Sequence, residues 1–455
     1  MRSMPYHIKT AKRSLLTLAA LSLALVVTTS AVHGAGFAIY ETDARGLAMG
    51  NASVGRIDDA SALYFNPAAI TQLPGVQVVV GSAFISPSVK VDTVVSGTST
   101  PTPMDDYTQP VPHFYATYRI NDDMAAGLGI FVPFGLKSDF STRPTWPGAY
   151  NNYFTKIETI EIAPTFAYRV VHDQPWAKQI SVAAGIAILN AKVDLRSRMP
   201  AFFGYDTNAD VRALANQPMI LKGSTWEYGY NLAVQYEIND QVSFGMVYRS
   251  GFNLGFTGAN AWLGDDPKRG GASGQIKLPD SFAIGVNYSP VVPLNLGFQA
   301  LWTGWSRYDW LRIQNPTAPT IDTTIPGMGA LPADTLQTIN KRKDWSNVWR
   351  YSFGAEYQIN NAVALRAGFV IDKDPVNKNY ADFMVPSDDR LIFSAGVGWT
   401  INKQVMINFG LAYLKIKSTT YSQNAIDNMK IPGLSDVRVH SGNATILSAS
   451  ANFRF

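Results

Sequence analysis

From residue 76 to the C-terminus, large apolar residues recur at every second position, with small or polar residues between them. The last segment sets Leu447, Ala449, Ala451, Phe453 and Phe455 against Ser448, Ser450, Asn452 and Arg454. Tyr351, Phe353, Ala355, Tyr357 and Ile359 alternate with Ser352, Gly354, Glu356 and Gln358; Tyr230, Leu232, Val234, Tyr236 and Ile238 with Asn231, Ala233, Gln235 and Glu237. Successive side chains of a strand point to opposite faces, so each segment has one apolar face and one wet or small face. The pattern predicts strands near 76–90, 111–120, 123–134, 153–170, 179–198, 221–238, 241–257, 273–288, 293–310, 343–359, 362–374, 387–401, 404–418 and 441–455. Short turns alternate with long polar connections at 91–110, 135–152, 199–220, 258–272, 311–342, 375–386 and 419–440.

A β-sandwich would use the same alternation with its apolar face inward. Three features favour an all-β membrane protein, a 14-stranded antiparallel transmembrane barrel with the apolar face turned to lipid. An even number of strands with short turns on one side and long loops on the other is the ordinary bacterial arrangement. A turn repeats four times, as Tyr118-Arg-Ile-Asn121, Tyr236-Glu-Ile-Asn239, Tyr357-Gln-Ile-Asn360 and Trp399-Thr-Ile-Asn402. Asn suits a tight hairpin because it tolerates positive φ, and the aromatic residue falls where an interfacial girdle belongs. The chain also ends on Phe455 of an aromatic strand, as barrel-assembly machinery requires of its clients.

Composition sharpens this picture. Only 16% of the 455 residues are charged and none is Cys, which excludes a disulfide scaffold and any Cys-ligated metal. A mean hydropathy of −0.02 is too low for a polytopic helical membrane protein. The net charge of +4 lies in the first 34 residues, where Arg2, Lys9, Lys12 and Arg13 face no acid. The remainder is neutral, with no pull toward nucleic acid. Residues 1–34 read as a secretory signal: a basic start, an apolar run at 15–27 too short to span a bilayer, then small residues, with cleavage expected after Gly34. An uncleaved amphipathic anchor is the alternative. The expected organisation is a signal peptide at 1–34, a separate N-terminal segment at 35–75 and a barrel at 76–455 in the outer membrane of a Gram-negative bacterium.

Residues 35–75 break the alternation, with several Gly and Ala residues and the stretch Asn66-Pro67-Ala68. A 14-stranded barrel is too wide to be filled by wall side chains alone, so this segment is a natural plug. A periplasmic tail is the alternative, but the segment is short of the polar residues typical of disorder. Ala35-Gly36-Phe37-Ala-Ile-Tyr, Arg45-Gly-Leu-Ala-Met-Gly, Asp58-Asp-Ala and Asn66-Pro67-Ala68 resemble the hatch of the FadL/TodX (OMPP1) family of outer-membrane transporters for hydrophobic compounds. Phe134-Gly135-Leu136, Leu278-Pro279-Asp280, Trp302-Thr-Gly-Trp305 and Val385-Pro-Ser-Asp-Asp-Arg390 extend the resemblance over the whole expected mature chain.

The resemblance implies passive uptake of a hydrophobic small molecule, with long-chain fatty acid first and monoaromatic hydrocarbon second. It implies a hatch containing Gly36, Phe37, Asn66, Pro67 and Ala68, and lateral release at a strand-3 kink formed by Pro133, Phe134 and Gly135. Pro133 lacks an N–H for the ladder and Gly135 lacks a side chain, though an ordinary bulge would read the same way. Phe202, Phe203, Leu214, Met219, Trp262 and Leu263 lie on long loops and are candidates for an outer ligand groove, or for simple packing of the loops. Lys192, Arg196 and Arg198 share one parity and are candidates for a substrate carboxylate. Basic residues at strand tops equally bind lipopolysaccharide phosphates or pair with lumen acids. No cofactor or metal is expected, the chain is expected to be a monomer, and its other partners would be outer-membrane lipid. No enzyme motif is present: His113, His172 and His440 lack metal-ligand spacing, and a general porin or an outer-membrane lipid hydrolase fits the plug less well.

Overall fold

The computed structural model describes residues 36–455 except 57, 144, 207–208, 264–268, 317, 319, 321–323, 326–328 and 331–335. The expected signal peptide and Ala35 lie outside the described residues. Among the described residues, antiparallel strands close a ring of 14. They are β1 (Val76–Val95), β2 (Gln109–Arg119), β3 (Met124–Phe131, resuming as Gly135–Asp139), β4 (Phe154–Gln174), β5 (Ala177–Arg198) and β6 (Pro218–Glu237). Next come β7 (Val242–Arg249 and Asn253–Leu263), β8 (Arg269–Lys277 and Ser281–Val291), β9 (Leu294–Thr303 and Trp310–Gln314) and β10 (Thr338–Arg342 and Val348–Gln358). The last four are β11 (Val363–Asp372), β12 (Arg390–Thr400), β13 (Val405–Ile416) and β14 (Leu434–Arg454). β14 pairs with β1 from Gln77↔Arg454 upward, and Val76 and Phe455 exchange backbone hydrogen bonds of 3.2 and 2.9 Å, so the C-terminal residue seals the ring.

The apolar parity faces outward. Trp226, Tyr228, Tyr230 and Leu232 on β6, and Phe409, Leu411 and Tyr413 on β13, are exposed, whereas Asn231, Ala233 and Gln235 are buried inside. A closed ring with a greasy exterior is the arrangement a lipid solvent demands of strands. Several strands run further than the apolar alternation extends: β14 begins at Leu434 and β1 continues to Val95. Above the lipid both faces of a strand meet water or loops, so alternation there is polar on both sides and leaves no hydrophobic signature.

The four repeated turns share one device. The Asn121 Oδ1 accepts from the N–H groups of Asp123 and Met124 at 2.9 and 2.8 Å. Asn239, Asn360 and Asn402 do the same for the residues two and three positions on. Their φ angles are not positive, so Asn is needed here for its side-chain oxygen, an Asx turn, and not for left-handed backbone. Tyr118, Tyr357 and Trp399 are exposed beside these turns.

The described residues of 36–73 run inside the ring. They include α1 (Ala44–Ala48), capped by the Asp43 carboxylate accepting from Gly46 N–H at 2.9 Å, and α2 (Ala62–Phe65), followed by a 3₁₀ turn Pro67–Gln72. The seat for this segment is a belt of glycines on the inner parity of adjacent strands. Gly245 pairs with Gly285, Gly354 with both Gly297 and Gly368, and Gly396 with Gly410. A Cβ at Gly297 would meet Ala52 O at 2.3 Å, one at Gly354 Met49 O at 2.5 Å, and one at Gly368 Gly50 N at 2.2 Å. The inner wall is thus thinned along one track, and the backbone of residues 44–55 lies in it. Replacing Gly368 by Val is expected to leave the barrel folded, by heat-dependent gel mobility, while unseating the plug enough to admit small hydrophiles in liposome swelling. Unchanged swelling would contradict the seating.

Candidate functional site

The wall is interrupted at β3. Its lower piece pairs with β4 through Phe131↔Glu161 and its upper piece from Gly135↔Glu158. Three residues, 132–134, therefore face two on β4, and the extra one reverses the parity, so that Leu136 and Ser138 point inward above the break. The Thr159 hydroxyl compensates locally: it accepts from Phe134 N–H at 3.1 Å and donates to Phe134 O at 2.5 Å. On the other side, β2 pairs with β3 only up to Phe114↔Ile130, although β2 continues to Gln109 beside β1. Arg119 N–H donates to Gly75 O next to β1, so odd positions of β2 point their backbone groups at β1 and even ones at β3. Pro110 and Pro112 occupy even positions, which leaves no N–H stranded on the open edge.

Residues 37–39 close this break from within. Ala38 bridges Phe134, Ile39 N–H donates to Pro133 O at 2.9 Å, and Gly135 N–H donates to Phe37 O at 2.8 Å. Phe37 is buried among Trp305, Tyr308 and Trp345, with ring centroids 4.6, 5.7 and 5.6 Å away. Gly36 has φ +62°, and a Cβ there would lie 2.6 Å from both Trp rings. Those aromatics stand where β9 and β10 are themselves broken, as are β7 and β8 beside them, so four strand breaks gather around the N-terminal anchor. Deeper in, Asn66 Nδ2 donates to Val54 O at 3.0 Å and to Gln235 Oε1 at 2.6 Å, while its Oδ1 accepts from Ala68 N–H at 3.2 Å. Asn is required here because it donates and accepts at once, and Pro67 starts the 3₁₀ turn at no cost in lost donors.

Sequence reasoning missed the ion cluster that ties α1 to the wall. Arg45 reaches Glu356 of β10 with two nitrogens, at 3.1 and 3.0 Å, and also contacts Asp58 and Asp59. Glu356 is shared with Arg366 of β11 at 2.6 Å. The alternation rule hides such partners, since register is needed to bring positions 45, 356 and 366 together. The Pro110-Val111-Pro112 pair in a strand was a visible signal of an open edge.

Two apolar cavities of about 40 Å³ each lie along the inner wall. The lower is bordered by Ala38, Tyr40, Pro133, Phe134, Phe252 and Tyr230, with Arg249 and Glu161 as its charged residues. The upper is bordered by Leu195, Met219, Ile220, Leu221, Leu311, Ile313 and Met384, with Arg196 and Lys341. Between their levels β5 presents Ala187, Leu189, Ala191, Val193 and Leu195, all buried on its inner face. Of the groove candidates, Phe203, Leu214 and Leu263 are buried against one another with Met199 and Val211, and Met219 packs on them and borders the upper cavity. Trp262 is half-buried with Lys222 over its ring at 5.9 Å, and the side chain of Phe202 lies outside the described residues. Lys192, Arg196 and Arg198 do share a face, and it is the outward parity of β5. Arg196 is held by Asp194 at 2.8 and 2.7 Å, and Arg198 donates to Asn216 O at 3.1 Å.

Residues 24–455 match the protein family described as outer membrane protein transport protein (OMPP1/FadL/TodX). The chain is 24% identical to the long-chain fatty acid transport protein of Salmonella typhi, covering 90% of this chain and 94% of that one. Its fold is similar to that of a Pseudomonas aeruginosa FadL homologue, at TM-score 0.76 and 19% identity over 92% of this chain and 99% of the other. It is also similar to the Pseudomonas putida toluene transporter TodX, at TM-score 0.64 and 16% identity over 91% and 98%.

The geometry at the break yields a direct test. Gly36→Val is expected to expel residues 36–39, read as lost deuterium-exchange protection at the Ile39 and Gly135 amides, which donate across the break, with the other barrel amides still protected. Full protection in the variant would contradict the anchoring.

Proposed function

The chain belongs to the OMPP1/FadL/TodX family of outer-membrane proteins that transport hydrophobic compounds, and from that premise we propose that its cargo is long-chain fatty acid, released sideways through the break between β2 and β3. The observation that carries this reading is the coincidence of an apolar cavity, an interrupted wall and a removable stopper at one place. An aqueous porin channel gives a fatty acid no stabilisation, whereas each buried CH₂ gains about 0.8 kcal/mol. The inner stripe of β5 from Ala187 to Leu195 covers roughly 26 Å at ~3.3 Å per residue, a length suited to an extended acyl chain.

On this reading cargo enters at the upper cavity, descends along β5 and collects against Phe134 and Ala38. Arg249 is the cation bordering the lower cavity; its guanidinium lies 3.7 Å from Glu161 and over the rings of Tyr64 and Phe131 at 5.1 and 5.5 Å. A substrate carboxylate would compete with Glu161 for it. Withdrawal of residues 37–39 then opens the wall toward the gap that β2 leaves beside β3, and no energy source is required. Pro133 and Gly135 keep that gap from zipping shut.

Two measurements decide. Cells of a transport-deficient host expressing the protein are expected to accumulate radiolabelled oleate in preference to toluene, and Arg249→Met to reduce oleate uptake roughly tenfold, the loss of one charge-assisted hydrogen bond. Preferential toluene uptake unaffected by Arg249→Met would assign the same path to monoaromatic hydrocarbons. Pro133→Val combined with Gly135→Val is expected to restore pairing and abolish uptake with folding intact. Unimpaired transport would contradict lateral release.

A further inference from the structure

The upper outward face of β3 to β6 has no part in the route just described, and its charges are arranged in rows. In register across the wall, Lys137 stands beside Lys156, Lys156 beside Asp194, and Asp194 beside Lys222. One step lower, Glu158 stands beside Lys192 and Lys192 beside Ser224. One further step down the outward residues are Ile160, Asn190 and Trp226, the last more than half exposed, and Tyr228, Tyr230 and Leu232 continue the apolar belt below it. The charged rows therefore begin where the apolar belt ends, at the height of the lipid headgroups.

Basic residues exceed acidic ones in these rows, and the acids are already committed. Glu158 pairs with Lys156 at 3.0 Å, and Asp194 with both Arg196 at 2.7 Å and Lys222 at 3.2 Å. Among the described residues Lys192 has no carboxylate partner, and it is exposed. The rows also border a concavity of about 400 Å³, made because β6 and β7 pair only at Met219 to Lys222 and again from Asn231 downward. Lys156, Lys192 and Lys222 line it together with the already paired carboxylates Glu158 and Asp194, and Ser224, Thr257 and Asn260 are further polar groups.

We propose that this cleft holds a phosphate of lipopolysaccharide, the phosphorylated glycolipid of the outer leaflet, with Lys192 and Lys222 as its principal cations. Lysine ammonium groups at headgroup height form charge-assisted hydrogen bonds to a phosphate, and the apolar belt beneath lies beside the acyl chains of the same molecule. The occupant is a lipid in place from the outer leaflet, because the cleft opens outward and directly above that belt.

The experiment titrates the full-length protein in detergent with bisphosphorylated lipid A, followed by native mass spectrometry, alongside dephosphorylated lipid A and phosphatidylglycerol. The phosphorylated glycolipid is expected to bind preferentially. The double variant Lys192→Gln with Lys222→Gln is expected to weaken it roughly tenfold or more, while Lys403→Gln at a turn on the opposite end changes nothing. Equal binding of dephosphorylated lipid A, equal binding of phosphatidylglycerol, or full binding by the double variant would each overturn the assignment. Should the double variant fail to fold, the three-lipid comparison on the unaltered protein still decides.

Discussion

In hydrocarbon a backbone N–H without an acceptor costs several kcal/mol, and the whole molecule is organised around that fact. A closed ring settles most of the account, but the ladder is interrupted at β3 and again where β6 and β7 part between Lys222 and Asn231. At β3 the structure uses three local substitutes for a missing ladder: prolines at 110 and 112 that carry no donor, a Thr159 hydroxyl that satisfies Phe134, and a strand-like stretch at 37–39 that completes the pairing of Pro133 and Gly135. Only the last of these is removable. The stopper and the missing partner of the wall are one and the same segment.

The plug has two mechanical parts that follow from different interactions. Residues 44–55 lie in the glycine belt and are tied by Arg45 to the buried Glu356, where an unpaired charge would be expensive, so this part is held rigidly. Residues 36–39 are held by two backbone hydrogen bonds, by the Tyr64 hydroxyl donating to Ile39 O at 3.1 Å and by one aromatic nest. On the proposed route, a passage that opens by moving the second part need not disturb the first, which would keep the lumen shut to hydrophiles while cargo leaves through the side.

The barrel was legible in the sequence because lipid imposes period two on every wall strand, and the paired Tyr and Asn at the turns marked where strands end. The role of Asn at those turns was not: Asn121 and its three equivalents act through the side-chain oxygen, which composition cannot separate from tolerance of positive φ. The glycine belt was also hidden, since Gly354 and Gly368 are isolated until register sets them side by side. Parity grouped Lys192, Arg196 and Arg198 correctly on one face, but which face is lumen at that height depends on continuity with Val182 and Ile186 lower on the same strand. The Arg45–Glu356 pair joins residues 311 positions apart and has no local signature.

The claim on which the account turns is that residues 37–39 must leave the β3 break for cargo to pass. Ala38 and Phe134 form a bridge of the kind whose Cα atoms approach to about 4.5 Å, within reach of a disulfide, and the chain has no other Cys. With Cys at both positions, oxidation is expected to stop uptake of oleate and reduction to restore it. Undiminished uptake by the fully oxidised protein would contradict it.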